Sequence, residues 1–142
     1  MKYEERLATQ EDIEQLIEIR IDAMKESLEA VDRIDPVELR FLKTFSEKYT
    51  KIIISNDEII GFYSLKENKN HMWLHHLYMI PNKQSKGLGS IILNKAKKIA
   101  ELKKKPIRLA TLKNSKSNAF YMKNGFVQTD QKEWYIYYEY RV

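Results

Sequence analysis

Three runs rich in β-branched and aromatic residues, Lys51–Ile54, Glu58–Lys66 and His71–Ile80, follow one another with almost nothing between them. The separators are "SNDE" (55–58) and "ENKN" (67–70), built from residues that favour tight turns. Tight turns join antiparallel neighbours, so this stretch reads as a three-stranded meander. A chain of 142 residues that contains such a meander has one domain's worth of length to complete the fold.

The flanks supply helices and further strands. Residues 9–30 predict a helix, with Thr9 as its N-cap and Glu11 and Asp12 in its first turn, where the helix dipole favours anions. Ile13, Leu16, Ile17, Arg20, Met24 and Leu28 fall at helical spacing. Asp35-Pro36 restarts a helix over 36–49, with Leu39, Leu42 and Phe45 along one side. After the meander the pattern predicts a helix from Gly87 to Lys103, a strand at Ile107–Leu112, and a short helix at Ser115–Lys123 stopped by Asn124-Gly125. Phe126–Thr129 and Trp134–Tyr140 form a closing hairpin, and Tyr3–Ala8 is a leading strand. The order is β-α-α-β-β-β-α-β-α-β-β, one domain over 1–142 without an internal repeat.

Composition removes several chemistries. Cysteine is absent, so the chain has no disulfide, thiolate metal site or cysteine nucleophile. The three histidines, His71, His75 and His76, are few, and strand alternation sends His75 and His76 to opposite faces, which argues against a metal site. The first residues lack the apolar stretch of a signal peptide, and no apolar run is long enough to span a bilayer. A soluble cytoplasmic protein is the expectation. The formal net charge of +5 suits an anionic ligand and equally suits a lysine-rich surface.

The stretch "PNKQSKGLGS" (81–90) concentrates two of the four glycines where a helix is about to start. A helix begins with backbone N–H groups that lack partners, and its dipole adds partial positive charge there. Glycine lets the backbone turn left-handed and approach a ligand closely. A strand, a basic glycine turn and a helix therefore make an anion cradle suited to phosphate, with Lys83 and Lys86 adding charge. The same pattern also serves as an ordinary turn. It is neither a Rossmann fingerprint nor a P-loop, because the strand before it belongs to a meander and Gly-Lys-Ser/Thr is missing.

Gln84-Ser85-Lys86-Gly87-Leu88-Gly89 resembles the Q/R-x-x-G-x-G/A motif of the GNAT superfamily of N-acetyltransferases, and "LHHLYMIP" (74–81) leads into it as the family's fourth strand does. Downstream, "NSKSNAFYMKNGF" (114–126) resembles the family's N-x-x-A/S-x-x-F-Y-x-x-x-G-F segment, with Asn114, Ser117, Phe120, Tyr121, Gly125 and Phe126 in register. "RLATQEDIEQLIEIR" (6–20) is similar to the family's first strand and helix. The resemblance implies an α/β (α+β) fold: a mixed, mainly antiparallel sheet of about seven strands flanked by about four helices. It implies acetyl-CoA as co-substrate and an amine acceptor, a small molecule or a peptide, in a monomer or homodimer.

By the same resemblance, the N–H groups of Ser85, Lys86, Gly87, Leu88, Gly89 and Ser90 would hold the pyrophosphate, with Gln84 at the loop entrance. Leu77, Tyr78 and Met79 would pair their backbone with the pantetheine arm, at an edge opened by a bulge or splay between the fourth and fifth strands. Asn114 would bond the pantetheine or order its loop. Tyr121 would give a proton to the departing thiolate, although Phe120-Tyr121 on a short helix also reads as core packing. A base must take a proton from the amine, whose ordinary pKa is about 10.4. Certain relatives carry a histidine at the place of His75, which makes His75 the candidate, with a water-mediated route left open. Alternation puts Trp73, His75, Leu77 and Met79 on one strand face, and His76 and Tyr78 on the other.

Two other functions compete. A non-catalytic acyl-CoA-binding module would keep the cradle and lack a base. A nucleic-acid binder would use Lys95, Lys97, Lys98, Lys103, Lys104 and Lys105, but no stacking motif or helix-turn-helix accompanies them. The expectation is no nucleic acid and no membrane.

Overall fold

The computed structural model of the chain describes residues 2–28, 37–84 and 87–142, with backbone alone at 25–28 and 37–40. Strand β1 (Glu4–Leu7) leads through a 3-10 turn (Gln10–Asp12) into helix α1 (Ile13–Leu28). Helix α2 (Val37–Thr44) precedes strands β2 (Thr50–Ser55), β3 (Glu58–Glu67) and β4 (Met72–Met79). A second 3-10 turn (Pro81–Lys83) leads toward helix α3 (Leu88–Lys103). Strand β5 (Ile107–Leu112), helix α4 (Ser117–Lys123) and strands β6 (Val127–Gln131) and β7 (Tyr135–Tyr140) complete the order. The sequence of elements is the one expected.

The strands form one sheet in the order β1-β2-β3-β4-β5-β7-β6. Every pairing is antiparallel except β4 with β5, the pair that α3 connects. The two-residue β2–β3 turn places Asn56 and Asp57 at φ 52° and 61°, the left-handed values a tight hairpin requires. Thr9 does not open a regular helix directly. Its N–H donates to Asp12 Oδ2 at 2.8 Å, Arg6 pairs with the same carboxylate at 2.9 Å, and the helix proper starts at Ile13.

Apolar layers cover both faces of the sheet. On one, α3 and α4 bury Leu93, Ala96, Ala100 and Tyr121 against Met72, Leu74, Ile107 and Leu109. On the other, Leu16 and Ile19 of α1 and Phe41 of α2 pack on Ile52 and Phe62. The side of α2 differs from the expected one. Phe41 is fully buried, edge-on to Phe62 at 5.8 Å, and 5.6 Å from the Phe45 ring, whereas Leu42 is 51% exposed. The 41–45 pair is an i, i+4 stack, and choosing Leu42 shifts the stripe by one residue. Leu28, Leu39, Asp35 and Pro36 lie outside the described residues or side chains. The helix also stops at Thr44 rather than running to 49, and Thr50 N–H turns back onto the Ser46 carbonyl at 3.1 Å.

Leu42→Ser is therefore expected to change stability by less than about 0.5 kcal/mol in denaturant unfolding. A cost of about 2 kcal/mol or more would return Leu42 to the core.

Candidate functional site

The register of β3 against β4 slips at one point. Ser64 pairs with His76 and Leu65 with Leu74, so His75 has no opposite number: it is a bulge residue. The extra residue reverses the alternation expected for this strand. Met72, Leu74, Leu77 and Met79 turn toward α3 and its core. Trp73, His75, His76 and Tyr78 form a row of adjacent rings on the other face, where His76 stands 5.3 Å from Phe41 of α2 and 5.7 Å from Phe62. His75 and His76 thus share a face, their rings 6.0 Å apart, and opposite faces no longer argue against a metal. Among the described residues no group of three or more histidine and carboxylate side chains gathers to hold one.

β4 and β5 pair only at their first residues, Met72 with Ile107 and Trp73 with Arg108. Beyond that point they splay, and a cleft of about 960 Å³ opens between them. Ile80 N–H bonds the Ile60 carbonyl, so backbone groups of even-numbered residues here face β3. Alternation then turns the N–H and C=O of Leu77 and Met79 into the splay. Gln84 folds back and gives its Nε2 hydrogen to the Met79 carbonyl at 3.0 Å, which leaves the Met79 N–H and the backbone of Leu77 facing the splay.

One end of the cleft is the start of α3. Gly87 is its N-cap at φ 80° and ψ −5°, a left-handed conformation costly for any other residue. A side chain there would meet nothing within 4 Å among the described residues beyond its chain neighbours, and Gly87 lines the cleft. The next three N–H groups, of Leu88, Gly89 and Ser90, precede the first intrahelical bond, Ile91 N–H to Gly87 O at 3.1 Å. Gly89 serves another purpose: a Cβ there would stand 3.3 Å from Phe120 Cζ, so its bareness seats α4 against α3. Leu88 is buried in the core beside Ile92 and Met79 and does not line the cleft, while Ser85 and Lys86 lie outside the described residues. Lys83, Lys116 and Lys123 add positive charge to the cleft wall.

Across from β4, Asn114 is exposed on the loop after β5 and Tyr121 projects from α4, both lining the cleft. Tyr121 is 6% exposed, its ring edge-on to Phe120 at 5.2 Å and Phe126 at 5.4 Å. Burial pushes its hydroxyl well above the ordinary phenol range, with Tyr78 adding to the effect, so it stays protonated at any working pH. His75 lies stacked at 6.1 Å on Tyr49, which is itself capped by Lys66. Burial and the Lys66 charge both lower its pKa, so the imidazole is neutral at pH 7 and able to accept a proton.

The cleft gathers His75, Leu77, Tyr78, Met79, Gln84, Gly87, Gly89, Ser90, Asn114 and Tyr121 from four separate segments. It also takes residues outside the motifs: Arg20, Asp22 and Met24 of α1, Thr111 of β5 and Tyr135 of β7. Arg20 carried a signal, a charge at a helical position otherwise filled by core residues, and it is 4% exposed.

The model of the acetyltransferase (GNAT) family matches residues 13–126. The chain's fold is similar to that of PaiA N-acetyltransferase from Thermoplasma acidophilum, determined in complex with coenzyme A, at 24% identity over 100% of both chains, TM-score 0.80. It is also similar to an acetyltransferase of the GNAT family from Staphylococcus aureus, 19% identical over 97% of this chain and 98% of that one, TM-score 0.75. The ribosomal-protein-S18-alanine N-acetyltransferase from Escherichia coli matches at 16% identity over 99% and 96%, TM-score 0.73. Comparison with curated protein sequences finds no match.

Proposed function

The chain belongs to the acetyltransferase (GNAT) family, and on that premise we propose that it moves an acetyl group from acetyl-CoA to a primary amine, of a small molecule or a peptide, by direct attack in a ternary complex. The observation that carries the reading is the splay of β4 from β5, with an open helix start at one end and a buried, protonated tyrosine on its wall.

In this reading the pyrophosphate rests on the N–H groups at the start of α3, and the lysines of the wall offset its charge. The pantetheine amides run along β4 as an added strand, bonding the exposed backbone of Leu77. Asn114 stands beside that arm. The thioester carbonyl then lies between β4 and α4. The amine nitrogen attacks the carbonyl carbon, a tetrahedral intermediate forms, and the carbon–sulfur bond breaks. One proton leaves the amine for His75, one passes from Tyr121 to the sulfur, and solvent carries a proton from His75 back to Tyr121, so both groups return to their starting state. With no cysteine in the chain, no thiol is present to carry an acyl-enzyme. Among the described residues no helix is long and apolar enough to cross a membrane.

The first test is calorimetric titration with acetyl-CoA, followed by thiol release in the presence of tyramine, putrescine or a peptide with an N-terminal alanine. Binding with release supports the reading. Binding without release from any of the three would favour a sensor of acyl-CoA, and no binding would remove the cradle.

The base assignment carries a sign. His75 must be neutral to accept a proton, so rate is retained above its pKa and lost as pH falls through it. Because that pKa is lowered from 6.5, the acidic limb of kcat/KM is expected below pH 6.5. His75→Gln should abolish that limb and slow the reaction. A limb that survives the substitution would give the proton to water or to another group.

A further inference from the structure

We infer that Asn118, a residue no motif singles out, is a positioning residue that holds Tyr121 at its place on the cleft wall. The inference rests on the reading of Tyr121 as the proton donor.

Asn118 lies in the first turn of α4, and Tyr121 follows three residues later on the same side of the helix. Its Oδ1 accepts from Thr111 Oγ1 at 2.5 Å, on β5, and from the Tyr138 hydroxyl at 2.8 Å, on β7. Its Nδ2 donates to the Leu112 carbonyl at 3.0 Å and to the Ser115 carbonyl at 2.9 Å. One side chain therefore ties two strands and a loop to the helix that carries Tyr121. The amide can point only one way: the carbonyls accept and cannot donate, so they require the NH₂, and the hydroxyls are left to donate to the oxygen.

No other side chain of similar size satisfies both halves. Aspartate keeps the acceptor for Thr111 and Tyr138 but sets a carboxylate oxygen against two carbonyls. Alanine removes both halves and leaves the buried Thr111 and Tyr138 hydroxyls without this partner. Tyr138 also packs its ring 6.3 Å from that of Tyr121, so a shift at one is felt at the other. The β5–α4 loop that Asn118 clamps includes Asn114 and Ser115, both on the cleft wall.

The test is a double-mutant cycle on turnover, with thiol release from acetyl-CoA read against tyramine, putrescine and the alanyl peptide, well below the melting temperature of every variant. Asn118→Ala should cut kcat about tenfold when Tyr121 is present and by less than about twofold in the Tyr121→Phe background. Asn118→Asp should behave alike, and the dissociation constant of coenzyme A should move by less than about threefold in calorimetry, since the start of α3 is untouched. A readout without any acceptor accompanies it: hydrogen exchange of the α4 amides should quicken in Asn118→Asp while that of β2 and β3 does not. Losses that multiply across the cycle, an unchanged kcat in Asn118→Ala, or exchange that quickens uniformly would each overturn the positioning role. An unchanged kcat in Tyr121→Phe alone would overturn the reading of Tyr121 as well.

Discussion

Tyr121→Phe is expected to lower kcat by about 10²-fold while leaving coenzyme A affinity and melting temperature nearly unchanged. The substitution deletes one oxygen and keeps the ring, so the packing against Phe120, Phe126 and Tyr138 survives. What the proposed reaction would lose is a donor to the sulfur as charge develops there. A thiol has an ordinary pKa near 8.5, and burial holds the Tyr121 hydroxyl far above the usual phenol value of about 10. Complete transfer before the bond breaks would run uphill. In the proposed reaction the hydroxyl would therefore hydrogen-bond the sulfur in the transition state and yield its proton only as solvent returns one to it. Because the hydroxyl is protonated at the start of each turnover at every working pH, the loss should be the same from acid to mildly alkaline pH. Single-turnover thiol release checks this, since product release does not mask it. A variant as fast as the parent under those conditions would end the assignment and leave Tyr121 as core.

Gly87→Val is expected to weaken coenzyme A binding by tenfold or more, about 1.4 kcal/mol at the least, with the fold retained. Left-handed backbone costs a residue with a Cβ roughly 1–2 kcal/mol, and a branched one is less tolerant still. Among the described residues nothing beyond its chain neighbours stands within 4 Å of a Cβ at Gly87, so the cost is backbone strain, relieved by rotating the turn that in the proposed reading aims the α3 N–H groups at the anion. Gly89→Val makes the contrast. There the new atoms press on Phe120, α4 must shift, and the loss should appear in kcat and in stability as well as in binding. Calorimetry on both variants separates the two glycines. Equal and undiminished affinity in Gly87→Val would mean that phosphate is held elsewhere.

Local signals carried far in this chain. The meander, its Asn56-Asp57 hairpin, the glycine before α3 and the Asn124-Gly125 stop are all short-range chemistry, and each stands where it was read. The element order follows because turn residues and strand residues differ in what their own backbones tolerate. Where a reading depended on counting along a single element, it was fragile. One inserted residue at His75 reversed the faces of half a strand, and one step along α2 exchanged Leu42 for Phe41. A bulge is set by how β4 meets β3, and no residue type in "LHHLYM" announces it.

The sequence by itself determined the order of helices and strands, the glycine turn before α3 and the residue types at the cleft. Those depend on backbone preference and hydrophobic period, which act within a few residues of chain. Only the tertiary structure decided that β4 and β5 part after two residue pairs, that His75 and His76 share a face, that Arg20 lines the cleft, and that Asn118 ties α4 to β5 and β7. Each of these joins groups distant in sequence, through packing and hydrogen bonds that exist only once the layers have closed.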